Sequence, residues 1–204
     1  LPDAPVTTDG RSQPGFDYFV PGPRLLEFLA EMKREVLQHY DIITVGEAPF
    51  STVEHGIALT HGETGALNML FQFEHMDVDR DPVTRSKWTG DGWSLRDLKR
   101  AMSVWQQGLA GQGWNSLYLA NHDQPRPVSR FGDDGRYRVE SAKLLATFLH
   151  LQQGTPYIYQ GEEIGMTNVG FPSIDDYRDI ETLNMNRDAM AGGEVDEARL
   201  MATI

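Results

Sequence analysis

The sequence predicts an α/β protein: a parallel sheet covered by helices. Three observations carry that expectation. Apolar stretches of helical period alternate with short strand-like runs in the order helix, strand, short helix, strand, helix, strand, helix, strand. The strand-like runs end in polar clusters, as buried parallel strands do at their carboxyl ends. The 204 residues suffice for one domain with a sizeable core, at 40% hydrophobic and 24% charged residues.

Each element has its own signal. Residues 1–20, rich in Pro, Gly and Asp, read as a loop. Pro23 suits the first turn of a helix in which Leu25, Leu26, Phe28, Leu29, Met32, Val36 and Leu37 recur at helical spacing. Its Glu27, Glu31, Lys33, Arg34 and Glu35 read as a solvated face. A strand follows over 42–46, then a short helix from Ser51 to Leu59, with Asn68 to Phe73 as the second strand. Residues 77–93 read as a polar loop in which Trp88 and Trp93 either stack on a ligand ring or, more commonly, pack the loop down. Ser94 and Asp97 resemble a capping box, with Leu95, Leu98, Met102 and Trp105 as the buried stripe of the helix they open. Residues 117–120 form the third strand and 127–135 a loop. A helix over about 136–153 turns Leu144, Leu145, Phe148 and Leu151 inward and ends at Gly154. Pro156-Tyr157-Ile158-Tyr159 is the fourth strand, and a further helix is expected near 179–190. No repeat, low-complexity segment or internal domain boundary interrupts this order.

Composition narrows the function. Thirty acids against 18 Lys and Arg give a net charge of −12, the opposite of a nucleic-acid footprint. No apolar run reaches the length of a membrane span. With no Cys, disulfides, thiolate metal sites and Cys nucleophiles are excluded, and a cytoplasmic home is expected. His55 and His61 lie close to Glu54 and Glu63, but their spacing fits no metal-ligand pattern, so a polar loop is the better reading. The run Gly132-Asp133-Asp134-Gly135 lacks the full spacing of a calcium loop and reads as a turn. No metal or cofactor is expected. The chain opens without Met and without a signal-like segment, which suggests an internal piece of a larger protein.

The chemistry concentrates at the strand ends. Ile42-Ile43-Thr44-Val45 leads to Glu47, and Leu117-Tyr118-Leu119-Ala120 leads to Asn121-His122-Asp123. Two carboxyl groups over one bond are what glycoside cleavage requires. One must stay protonated near neutral pH to act as an acid, which needs burial or nearby negative charge. Glu47, beside Ala48, Pro49 and Phe50, suits that role; the alternative is that it caps the next helix. Asp123 suits a nucleophile or a carboxylate that stabilises an oxocarbenium-like transition state, with His122 donating to a sugar hydroxyl. Its alternative is an ion pair with Arg126 beside a core His. Glu162 and Glu163 are expected to bond backbone and neighbouring Arg residues as supports.

At these residues the chain resembles the α-amylase superfamily of retaining glycoside hydrolases, in its oligo-1,6-glucosidase and α-glucosidase branch. The stretches Thr44-Val45-Gly46-Glu47-Ala48-Pro49, Asn121-His122-Asp123-Gln124-Pro125-Arg126 and Gly154 through Met166 carry the likeness, with Gly22-Pro23-Arg24 and Tyr177-Arg178-Asp179. The resemblance implies a partial (β/α)8 TIM barrel, strands five to eight with covering helices. It implies Glu47 as general acid/base, Asp123 as transition-state stabiliser, and His122 at the cleavage subsite. Gln124 and Arg126 would line the neighbouring subsite. The family nucleophile, an Asp at the fourth strand, would lie just upstream of Leu1, as would any calcium loop. The implied partner is a small oligosaccharide or disaccharide, hydrolysed with retention. Glucosyl transfer and sucrose isomerisation are the alternatives within the family, and a non-catalytic binding subunit the alternative outside it. Some isomerases carry extra Arg and Asp residues after the seventh strand. Pro127-Val128-Ser129-Arg130-Phe131 does not follow that pattern, which favours hydrolysis.

Overall fold

A computed structural model describes residues 22–81, 87, 92–192 and 201. Helix α1 (Leu25–Glu35) and a short helical turn (Leu37–His39) precede strand β1 (Val45–Glu47). Helix α2 (Val53–Thr60) leads to β2 (Met69–Phe71) and a turn at Glu74–Asp77. Helix α3 (Leu95–Gly108), β3 (Ser116–Leu117), α4 (Pro127–Phe131), α5 (Arg138–His150) and β4 (Thr155–Pro156) follow. Helical turns at Glu162–Ile164 and Ile174–Asp176 lead to α6 (Ile180–Gly192).

The strands are parallel and form two pairs, β1 with β2 and β3 with β4. Val45, Gly46 and Glu47 lie opposite Met69, Leu70 and Phe71. Leu70 bridges to Asn115, and Ser116 and Leu117 lie opposite Thr155 and Pro156. Every strand therefore points its carboxyl end to the same pole of the sheet. The helical connections that parallel pairing demands are α2, α3 and α5.

The core lies between the central strands and the helices after them. Leu98 and Met102 of α3, Phe131 of α4, and Leu145 and Leu149 of α5 close on Leu117, Tyr118 and Leu119. A second cluster joins Leu70, Trp105 and Leu109, with Val53 and Ile57 of α2 against it. Aromatic rings tie the strands together. Phe71 sits edge-on to Tyr118 at 5.1 Å and to Tyr157 at 4.6 Å.

The structure corrects several expectations. Segment 127–135 does not run wholly as a loop: Pro127 starts the short helix α4, which buries Val128 and Phe131. On α5 the buried pair is Leu145 and Leu149, whereas Leu144 is 68% and Leu151 82% exposed. On α3, Leu95 is exposed and Ala101 takes its place in the buried stripe. Helix α1 begins after Pro23, and its apolar stripe is open. Phe28 is 52% exposed, because a cleft of about 740 Å³ separates the helix from the tip of β1. Trp88 and residues 1–20 lie outside the described residues.

Caps explain the helix starts. Ser94 Oγ accepts from the Asp97 N–H and also donates to its carboxylate at 2.7 Å. Thr52 and His55 form a reciprocal capping box on α2. Asp179 accepts from the Thr182 N–H and hydroxyl at 2.7 and 2.6 Å. The Thr182 hydroxyl bond holds the Asp179 carboxyl below its usual range.

Candidate active site

Glu47 ends β1, and Asn121, His122 and Asp123 follow β3 after the buried run Tyr118-Leu119-Ala120. Parallel pairing within β1–β2 and β3–β4, with the parallel Leu70–Asn115 bridge between them, brings both groups to the same pole. Glu47 lines the cleft beneath α1, together with Ala48 and Pro49. Its side chain remains exposed, so the described residues do not enclose its carboxyl. It does not cap α2, a role that Thr52 fills. Phe50, three residues on, holds a left-handed φ of 60°, a conformation an aromatic residue adopts at a cost of about 1–2 kcal/mol.

The Asn121–Arg126 stretch is built from short polar contacts. Asn121 Oδ1 accepts from the Asp123 N–H at 2.8 Å, an Asx turn that lifts Asp123 out of the strand line. His122 Nε2 lies 3.3 Å from Asp123 Oδ2, and both side chains are exposed. His122 is therefore not a core histidine. Gln124 Oε1 accepts from Arg130 at 2.8 Å. Arg126 is not found against Asp123. Its guanidinium donates to the Gln160 carbonyl at 2.5 Å and lies 5.0 Å over the Tyr159 ring. Its backbone N–H donates to Asn168 Oδ1 at 2.7 Å. Arg126 thus joins the tip of β3 to that of β4.

Behind β4, Glu162 and Glu163 accept from the backbone N–H groups of Tyr159 and Gly161, each at 2.7 Å. Burial pushes the Glu162 carboxyl above its usual range, against the opposing pull of the Tyr159 N–H and the Arg126 charge. Gly161 holds φ at 98°, where a Cβ would meet Met166 and the Arg126 guanidinium at about 3 Å. These acids fasten the turn through the backbone, as expected, whereas the neighbouring Arg126 donates to the Gln160 carbonyl and not to either acid.

A buried polar core beneath the tips was not read from the sequence. His75 is 1% exposed; its Nε2 lies 2.8 Å from the Tyr118 carbonyl and its Nδ1 2.7 Å from the Gln72 amide. A carbonyl can only accept and an amide nitrogen only donate. The ring is therefore the neutral tautomer with its proton on Nε2. Burial lowers its pKa to about 4, outweighing the Tyr118 carbonyl. The Tyr118 hydroxyl returns a bond to the Gln72 carbonyl at 2.9 Å. Burial first, and the Glu47 and Asp77 charges second, raise that hydroxyl's pKa far above its usual value. Trp105 donates to Glu74 at 2.9 Å. The one visible sign was Glu74-His75-Met76-Asp77 directly after a strand; the Tyr118 partner lies 43 residues on and cannot be read from spacing.

Both other histidine rings near α2 serve local turns. His55 Nδ1 accepts from the Thr52 N–H, and His61 Nδ1 from the Glu63 N–H. Among the described residues no group of three or more His, Asp or Glu is arranged to hold a metal ion. Among them, too, no helix is long and apolar enough to cross a membrane.

The α-amylase catalytic-domain family matches residues 1–201. The chain belongs to that family. It is 60% identical over 204 residues to an oligo-1,6-glucosidase of Parageobacillus thermoglucosidasius, covering all of this chain and 36% of that protein. Trehalose-6-phosphate hydrolase of Bacillus licheniformis superposes with a TM-score of 0.85 at 46% identity, over 95% of this chain and 34% of that one. Isomaltulose synthase from Erwinia rhapontici NX5 superposes at 0.80 with 38% identity, over 89% and 32% respectively. The chain thus spans about a third of the length of these relatives. For a member of the α-amylase family, parallel strands covered by helices are part of a TIM barrel.

Proposed function

We propose that this chain supplies strands five to eight of the catalytic barrel of a retaining α-glucosidase acting on short α-glucosides. The observation that carries the reading is the placement of Glu47 and the Asn121–Asp123 cluster at the carboxyl ends of two parallel strand pairs that the Leu70–Asn115 bridge joins. Glu47 protonates the leaving glycosidic oxygen and later activates water. Asp123 stabilises positive charge that develops at the anomeric carbon and holds sugar hydroxyls, with His122 donating beside it. Gln124 and Arg126 border the next subsite. The nucleophile comes from the other part of the barrel, whose residues also enclose Glu47 and supply any metal site; this chain needs no cofactor of its own. The named activity of the 60%-identical relative supports hydrolysis over isomerisation. The absence of Cys suits a cytoplasmic setting.

The test is Glu47→Gln in the full-length protein. The kcat/KM for isomaltose, whose leaving group needs a proton, should fall by about 10²–10⁴. An activated aryl α-glucoside should lose far less. Equal losses on both substrates would remove Glu47 from the acid role.

A further inference from the structure

Arg130 lies outside the motifs that carry the chemistry, yet it makes a dense set of polar contacts near the strand tips. Its side chain is 8% exposed. Nε and Nη2 donate to the two oxygens of Asp79, each at 2.6 Å, a bidentate fork. Nη2 also donates to the Met76 carbonyl at 2.6 Å, and Nη1 to Gln124 Oε1 at 2.8 Å. Nη1 further lies 3.4 Å from Met76 Sδ. The guanidinium sits 5.0 Å over Phe131, whose ring meets Trp93 edge-on at 5.4 Å.

The consequence concerns two loops at the carboxyl pole. Met76 and Asp79 follow β2, and Gln124 follows β3 immediately after Asp123. Asp123 is itself held by the Asn121 turn and is otherwise exposed. Gln124 is thus the side chain through which the Asp123 turn is fixed to the neighbouring loop. Arg130 reaches it from α4, a helix that Val128 and Phe131 anchor in the core.

We propose that Arg130 is a positioning residue: its guanidinium clamps Gln124 to the Asp79–Met76 loop and so fixes where Asp123 stands against the sugar. This rests on the α-glucosidase reading and adds a residue to it. A planar fork is required, because one group must serve a carboxylate, a carbonyl and an amide in fixed directions. Lys would keep the charge and lose the geometry.

The experiment compares Arg130→Met, Arg130→Lys and Asp79→Asn in the full-length protein. Rates are expressed per active site, counted by the burst of phenol from an activated 2-fluoro-α-glucoside that traps the glycosyl-enzyme. Misplacing a reacting group by about 1 Å costs about 100-fold. The kcat per titrated site for isomaltose should therefore fall about 100-fold in Arg130→Met, with KM changed less than about threefold. Arg130→Lys should fall between Arg130→Met and the parent. Asp79→Asn, which keeps one acceptor for the fork, should lose less than Arg130→Met. Thermal melting reports folding separately. A merely structural role lowers the melting temperature and the number of titratable sites but leaves kcat per site unchanged, and that result overturns the proposal. Equal kcat per site in the Lys and Met variants overturns the need for the fork. If Glu47→Gln instead shows equal losses on both substrate types, the α-glucosidase reading itself fails, whatever the Arg130 variants do.

Discussion

His75 shows how much one side chain can set the pH response of this fold. Its ring is buried between Gln72 and the Tyr118 carbonyl, and its pKa falls to about 4. The unfolded chain takes a proton on this ring below about pH 6.5, whereas the folded chain refuses it until about pH 4. Stability from His75 is therefore complete above pH 6.5 and lost as the pH falls through that window, by about 3 kcal/mol in all. His75→Gln cannot protonate, so it should flatten the urea-midpoint profile between pH 6.5 and 4. A variant as acid-sensitive as the parent would show that another group sets the response. Neither the depth of His75 nor the clamp at Arg130 was legible in the sequence. Both depend on partners more than 40 residues away. Glu47 and Asp123 were legible because each ends an apolar run within its own segment.

At the scale of elements, the contact between α2 and α3 rests on two glycines. A Cβ on Gly56 would stand 2.8 Å from the Trp105 ring, and one on Gly108 would stand 2.3 Å from a Val53 methyl carbon. Ala normally favours a helix over Gly by about 1 kcal/mol. Here overpacking outweighs that gain, and Gly56→Ala should destabilise the protein by about 1–2 kcal/mol in urea denaturation. Val53→Ala should restore part of the loss in Gly108→Ala but none of it in Gly56→Ala. The element order itself could be read from alternating periodicities. Strand lengths could not, since apolar runs continue past the last ladder bond: Tyr118 to Ala120 are buried yet lie beyond β3. The stripe of α5 was misread because Leu144 and Leu151 share its apolar character while facing away from the sheet. Such a difference is set by neighbouring elements, not by the helix.

For the whole molecule, the decisive surface is the outer side of β1. Among the described residues β1 pairs only with β2, and Ile43 beside it is 76% exposed. Ile42, Val45 and the apolar stripe of α1 flank the same region. A parallel edge left open among the described residues is of the kind that templates association. The isolated 204-residue chain should sediment as oligomers at micromolar concentration, and Ile43→Lys should shift it toward monomer in analytical ultracentrifugation. Unchanged oligomers would place the contact elsewhere. The fold class was legible because parallel α/β architecture leaves its mark in each segment. How far the strand tips stand from one another was not, because that is fixed only once the sheet has formed.

The register of the sheet has one more consequence. β1 pairs with β2 and β3 with β4, and a single bridge from Leu70 to Asn115 links the two pairs in chain order. A nascent polypeptide leaving the ribosome can therefore grow this structure by accretion. Every newly emerged strand docks on one already laid down, and no segment has to wait for a distant stretch to be synthesised.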